Sequence, residues 1–278
     1  MNSSDIQTAA ALVARAGALV IAAGAGMGVD SGLPDFRGEA GFWRAYPALA
    51  KAGLRFVEVA SPSTFADDPR LAWGFYGHRL ALYRQTVPHA GFAILRRWAQ
   101  ARQLPASVFT SNVDGQFQRA GFPGQEIHEC HGSIHWLQCT RPCCDDIWSA
   151  DDLAVDIDAE HCQWLGELPT CPNCGAVARP NILMFNDSCW IEQRTTQQQM
   201  QQELWLSQVR RPVVIEIGAG VDITTVRWFS DTLVRRHGGR IVRINPRESA
   251  VTPGCGVGQA SGALAALQAI DAALESRG

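Results

Sequence analysis

The 278-residue chain has little lysine, no long apolar run and little excess charge of either sign. Lys51 is the only lysine, so nearly all of the basic charge is arginine, as the codon bias of a GC-rich genome would produce. No apolar stretch exceeds about eight residues, well short of the roughly 20 that a membrane-spanning helix needs. Residues 1–5 are polar and carry no basic stretch, so no secretory leader and a cytoplasmic location are expected. A net charge of −3 and a pI near 6.2 offer no field that would gather nucleic acid. Neither a nucleic-acid nor a membrane partner is expected, and a monomer is the default. No internal repeat is visible, and biased composition is confined to a Gln-rich patch at 197–202.

What is there is ordinary for a globular protein: 46% hydrophobic and 18% charged residues, enough for one large core and a smaller module. Nine cysteines in a chain expected to be cytoplasmic point to metal binding or chance burial rather than disulfides. Residues 6–16 read as an amphipathic helix with Ser3, Ser4 or Asp5 as its cap. Short continuous apolar runs follow at 18–23, 107–110, 212–217 and 240–244, the pattern of strands buried on both faces. Helical patterns at 90–102, 221–237 and 261–276 separate them. The alternation predicts an α/β fold with a Rossmann-like, doubly wound parallel sheet. Two stretches break the rhythm. Residues 42–88 are helical and aromatic-rich, and 139–174 hold an acidic stretch between paired cysteines. The expected division is therefore a discontinuous Rossmann-like domain of 1–41, 89–138 and 175–278. The smaller domain, a helical insertion plus a zinc-binding module, takes 42–88 and 139–174.

Gly24-Ala25-Gly26-Met27-Gly28 directly follows the first expected strand. Glycines there let the backbone approach a pyrophosphate, although the strict dinucleotide fingerprint wants glycine where Val29 stands. Cys171 and Cys174 form a CxxC pair, half of a tetrahedral zinc site. Its partner half starts at Cys139 and is completed by Cys143 or Cys144. Tyr76 and Arg79, three apart on a helical stretch, share a face and suit a carboxylate on a ligand; the structural alternative is a core tyrosine beside a solvent-facing arginine.

From Gly24 to Gly38 the chain reads GAGMGVDSGLPDFRG, and this resembles the signature of the sirtuin family. The likeness continues through Thr110-Ser-Asn-Val-Asp114, His128-Glu-Cys-His131-Gly132, the cysteine pairs, Arg179-Pro-Asn-Ile-Leu-Met-Phe185, Gly218-Ala-Gly220 and Ile244-Asn245, in the family's order and spacing. The resemblance implies an NAD co-substrate and a structural Zn2+. It makes Gly24, Ala25, Gly26, Asp35, Phe36, Arg37, Ser111, Asn112, Asp114, Gly218, Ala219, Gly220 and Asn245 the cofactor-binding residues. It makes His131 the general base, with Asn112 and Asp114 beside it in catalysis. Leu183 and Phe185 would meet the substrate, Tyr76 and Arg79 its acyl group, and Cys139, Cys143, Cys171 and Cys174 the zinc. Cys143 is preferred because divergent bacterial sirtuins use that spacing, with Cys144 the runner-up.

The implied activity is removal of acetyl, or succinyl and malonyl, groups from protein lysines, giving nicotinamide and O-acyl-ADP-ribose. A histidine suits the base because its ordinary pKa lies near working pH, and it would take a proton from a ribose hydroxyl. His128 and His135 flank it and fit the pattern less well. Departures matter: Gly28 stands where the family has serine, Ser111 where it has glutamine, Ala219-Gly220 where it has Thr-Ser, and Asn186-Asp187 where it has Gly-Glu. The segment Thr110–Phe122 also resembles a bacterial branch associated with ADP-ribosyl transfer, a branch that lacks the catalytic histidine. Two alternatives therefore stand beside deacylation. One is an ADP-ribosyltransferase or NAD glycohydrolase on the same fold; the other is a non-catalytic NAD-sensing protein.

Overall fold

Short runs without polar alternation can bury both faces only inside a layered structure, and the computed structural model, which describes residues 2–34 and 38–277, places them so. Eleven strands are present among the described residues: β1 Ala18–Ala23, β2 Ala106–Thr110, β3 Ile127–Glu129, β4 Gly132–Cys139, β5 Ile147–Ser149, β6 Ile157–Asp158, β7 Gln163–Trp164, β8 Ala178–Ile182, β9 Pro212–Ile217, β10 Arg240–Ile244 and β11 Gly256–Gln259. The α-helices are α1 Ser3–Ala14, α2 Gly38–Ala45, α3 Pro47–Lys51, α4 Phe56–Val59, α5 Pro62–Asp67, α6 Pro69–Gln85, α7 Ala90–Ala101, α8 Gln116–Arg119, α9 Gln193–Gln208, α10 Thr225–His237 and α11 Ala263–Glu275.

The main sheet has six parallel strands in the order β11-β10-β9-β1-β2-β3. Leu19, Ile21 and Ala23 of β1 face a core built with Val13 of α1, Leu95 and Trp98 of α7, and Leu267 and Ile270 of α11. Val20 and Ala22 face the opposite way, against Phe109, Leu206 of α9, and Val226 and Leu233 of α10. The alternation of one strand thus serves two helical layers, which is why no polar position interrupts it. Asn2, not Ser3, Ser4 or Asp5, caps α1: its side chain accepts the Ser4 N–H at 3.1 Å. The expected helix at 221–237 begins only at Thr225, since 218–224 form a loop at the sheet edge.

The second core joins α2–α6 to the cysteine segment. Phe42, Leu49, Trp73, Phe75 and Tyr76 pack with Ile134, Leu137, Trp164, Ile182 and Met184. Strands β4 and β8 pair antiparallel, and β5 adds to β4, in a sheet separate from the main one. No described helix is long and apolar enough to cross a membrane.

Candidate active site

Because the six strands are parallel, their carboxyl ends share one edge, and the strand order reverses between β1 and β9. Ligands of such sheets bind in the crevice at that switch. Gly24 follows β1 there, Gly218 follows β9, Ser111 follows β2 and Asn245 follows β10. The two glycine loops touch. A Cβ on Gly24 would lie 2.8 Å from the Gly218 carbonyl oxygen, and one on Gly218, at φ +64°, would lie 2.4 Å from Gly26. Only residues without side chains pass at this distance. Gly26 N–H donates to Gly218 O (3.1 Å), Ser111 N–H to Ala23 O (3.1 Å) and Gly218 N–H to Ile244 O (2.9 Å).

Side chains brace these loops. Asn112 Nδ2 donates to Gly24 O at 3.0 Å, and Asn245 Nδ2 to Ala219 O at 2.8 Å. Asn245 Oδ1 accepts from the Arg247 and Glu248 N–H groups. Arg227, which the sequence did not single out, donates to the carbonyls of Ala219, Gly220 and Glu248 and so ties the β9 loop to the β10 loop. Ser31 Oγ accepts the His89 N–H, and Asp30 Oδ2 accepts the Leu264 N–H at the start of α11, which fastens the far end of the first glycine loop. The Asp35, Phe36 and Arg37 expectations lie outside the described residues.

The bed fits a dinucleotide on two counts. Its walls at Gly24 and Gly218 leave no room for a Cβ, and it carries orphaned polar atoms. Glu248 Oε2, just past β10, and Gln259 Nε2, at the end of β11, are buried without a hydrogen-bond partner among the described residues. An acceptor and a donor left open at this edge suit ribose hydroxyls or a base. An acidic residue soon after a sheet strand is a known ribose signal, and Glu248 was findable on it.

His131 stands at the end of β3 and the beginning of β4, where the main sheet hands the chain to the smaller one. Its carbonyl accepts the Leu183 N–H at 3.0 Å, so the residue sits between the β2 loop and the chain leaving β8. Burial lowers its pKa below the ordinary histidine value, and a hydrogen bond with the Ser111 backbone acts in the opposite direction. The neutral ring is the form a general base needs. Neither neighbour competes. His128 is buried edge-on to Phe109 with Nδ1 3.0 Å from Gln202 Oε1, and His135 Nε2 lies 3.1 Å from the Asp114 carbonyl oxygen.

Asp114 is buried, and its carboxylate accepts the Gln116 N–H at 2.9 Å. Desolvation pushes its pKa up to about 6; the Gln116 bond and the Arg79 charge oppose the rise and Glu129 adds to it. Tyr76 and Arg79 both lie on α6, as the spacing predicts, and both are buried, so Arg79 is not a solvent-facing arginine. Tyr76 stacks on Phe65, and burial pushes its hydroxyl up to about 12. The Arg79 guanidinium is ringed by Phe75, Tyr76 and Tyr83, and its Nε and one terminal nitrogen donate to Tyr83 Oη at 2.9 and 2.8 Å. Tyr83 is therefore a member of this cluster that the sequence reading missed; its position four residues past Arg79 was the available signal. Leu183 is 39% exposed beside His131, while Phe185 packs on Phe56 and donates its N–H to Ala60 O. Asp187, at a position that departs from the family, forms a fully buried ion pair with Arg179 at 2.6 Å.

The sulfurs of Cys139, Cys143, Cys171 and Cys174 all lie within 4.8 Å of one another. Cys139 ends β4, and the Cys171–Cys174 turn is closed by Gly175 N–H to Cys171 O and Cys171 N–H to Ala176 O. Four thiols gathered so closely without a disulfide fit a tetrahedral Zn2+ with no open position. Cys143 rather than Cys144 completes this set.

A doubly wound sheet with a glycine-walled bed at its switch point, a half-buried histidine beside it and a four-thiol module defines a class of nucleotide-binding protein with a structural metal. Comparison with known proteins narrows it. The profile of the Sir2 family matches residues 24–216. An "NAD-dependent protein deacylase" of Thermococcus sibiricus is 30% identical over 248 residues, 89% of this chain and 88% of that protein. A protein of the same description from Pyrococcus furiosus is 29% identical, covering 87% of each. The crystal structure of a Sir2 homologue–NAD complex superposes with a TM-score of 0.74 at 23% identity, over 100% of this chain and 96% of that one. The chain belongs to the Sir2 family.

Proposed function

We propose that the chain is an NAD-dependent protein-lysine deacylase in which His131 is the general base and Zn2+ is structural. The observation that carries this reading is the position of His131, half-buried between the β2 loop of the cofactor bed and the chain leaving β8. The similarity to proteins described as NAD-dependent deacylases supports the same reading. Bound in the bed, NAD supplies a cationic nicotinamide as leaving group on a ribose carbon.

The residues divide the work. Gly24–Gly26 and Gly218–Gly220 admit the pyrophosphate to the backbone, with Asn112, Asn245 and Arg227 holding the loops in place. Glu248 accepts from ribose hydroxyls. Asp114 and Asn112 face the nicotinamide side, where Asp114 at a pKa of about 6 holds or releases a proton near neutrality. His131, neutral because half-buried, takes the ribose hydroxyl proton. Leu183 and Phe185 lie along the acyl-lysine chain. Tyr76 and Arg79 meet an acyl carboxylate, with Tyr83 as the acceptor that a succinyl or malonyl group displaces. The expected products are free lysine, nicotinamide and O-acyl-ADP-ribose. In the domain division we propose, the smaller module takes β4 and β8 along with 42–88 and 139–174, since their side chains pack in its core.

The test is to incubate the protein with NAD and acetyl- or succinyl-lysine peptide and weigh the products. Equal amounts of nicotinamide, deacylated peptide and O-acyl-ADP-ribose are expected. ADP-ribose formed without peptide, or its mass added to a protein, would instead favour ADP-ribosyl transfer. Binding without turnover would leave an NAD sensor.

A further inference from the structure

The metal cluster has a fifth thiol. Cys144 Sγ lies 3.7 Å from Cys143 Sγ and is the next residue in the chain. It is half-buried rather than turned out to solvent. Asn173, inside the Cys171–Cys174 turn, donates its Nδ2 hydrogens to Cys144 Sγ at 2.9 Å and to Asp146 Oδ2 at 3.0 Å. Cys144 is thus fastened to the opposite half of the metal module through Asn173. A tetrahedral Zn2+ takes four ligands, and its filled d shell sets no preference among equivalent thiolates. The four ligands are also unequal: Cys139 and Cys171 are buried, while Cys143 and Cys174 are exposed. Of the two exposed ones, Cys143 has a thiol neighbour in contact on the same turn.

We propose that Cys144 is a reserve ligand of the metal site, entering the coordination position of Cys143 whenever Cys143 leaves it. The exchange breaks one sulfur–metal bond and forms another. The Cys144 proton goes to solvent, the Asn173 N–H is released to Asp146 or water, and no redox change is involved. The site then runs through Cys139, Cys144, Cys171 and Cys174. The function served is retention of the ion when the exposed ligand Cys143 is alkylated or otherwise blocked. The proposal rests on the reading that the four-thiol cluster holds zinc.

Bound zinc in the full-length protein, measured after dialysis against a weak chelator, tests it. Wild type, Cys143→Ser, Cys144→Ser, Cys174→Ser and Cys143→Ser/Cys144→Ser are compared, and Co2+-substituted samples report thiolate number through the sulfur-to-cobalt charge-transfer band. Wild type and Cys144→Ser are expected to hold one ion through four thiolates. Cys143→Ser should also hold one, with an undiminished charge-transfer band and an affinity within about tenfold of wild type, the small end of what a change beside a metal site costs. The double variant and Cys174→Ser should lose it. Loss of zinc or of solubility in Cys143→Ser as complete as in the double variant would overturn the proposal, as would a three-thiolate cobalt spectrum in that variant. A wild-type protein that binds no zinc would overturn the zinc reading and the reserve ligand together. Zinc in wild type with none in Cys143→Ser removes the reserve ligand alone.

Discussion

The two walls of the candidate site are built from different material. The cofactor bed is backbone: glycines in contact, carbonyls and N–H groups bonded between β1, β2, β9 and β10, and two asparagines and Arg227 tying loops together. The other wall is side chain: Arg79, which we propose meets the acyl group, is ringed by Phe75, Tyr76 and Tyr83, and Asp114 is buried near its charge. Four of the six departures from the family fall on the backbone side; Asn186 and Asp187 lie elsewhere, Asp187 in a buried ion pair with Arg179. Gly28, Ser111, Ala219 and Gly220 all lie in the backbone-built bed, where loss of a hydroxyl or an amide leaves the loop-to-loop bonds intact. In the side-chain wall each substitution changes the surroundings of a buried charge, so its effect has the sign and size that this charge sets.

Substitutions can break that contrast. The largest effect is expected where both walls depend on one anchor. Cys139→Ser, which removes a buried zinc ligand at the end of β4, should strip the metal and unfold the small module, seen as loss of zinc and of the cooperative thermal transition. Next, Gly24→Val places carbon 2.8 Å from the Gly218 oxygen and must part the glycine loops. At about 1–3 kcal/mol for an overpacked contact, NAD affinity by calorimetry should fall about ten- to hundredfold, with little change in acyl-peptide binding.

Asp114→Asn probes the other wall through pH. The folded carboxyl, at about 6, lies above its unfolded value near 4. Its contribution to stability is therefore full below about pH 4 and is lost as pH rises through about 6. Removing the charge should raise Tm above pH 7 by the equivalent of about 3 kcal/mol, shrinking towards nothing near pH 4. A pH-independent change would contradict the buried-charge account. Arg79→Met should slow desuccinylation about tenfold more than deacetylation, as loss of a charge-assisted hydrogen bond does. The smallest effect is expected of Tyr83→Phe, which removes the acceptor that competes with an acyl carboxylate and should raise desuccinylation relative to deacetylation about threefold. Equal effects on both substrates would take the carboxylate role away from this cluster.

Much of this was legible in the residues. The runs at 212–217 and 240–244 match β9 and β10 to the residue, because the charges they carry inside, Glu216 and Arg243, pair with each other across the sheet and leave the strands buried. The edge strands were not legible. Gly256–Gln259 is too rich in glycine, and Ile127–Glu129 too short and polar, to read as strand; they form because a neighbouring strand offers an open row of backbone groups. Cys143 and Cys144 could not be separated by spacing, since the turn after β4 decides which sulfur points inward. Arg227 stayed hidden because it ties loops that meet only when the sheet assembles. Tyr83 was legible from its position four residues past Arg79 on one helix face, and was passed over.

The claim on which the rest depends is that His131 serves chemistry at the junction of the two walls and does not build either of them. Deacylation rate and NAD affinity measured side by side on His131→Ala test it most directly. The account predicts a deacylation rate lower by about 10²–10⁴-fold, with NAD affinity and Tm near those of the parent protein. An unchanged rate, or a loss of rate matched by an equal loss of NAD affinity, would contradict it.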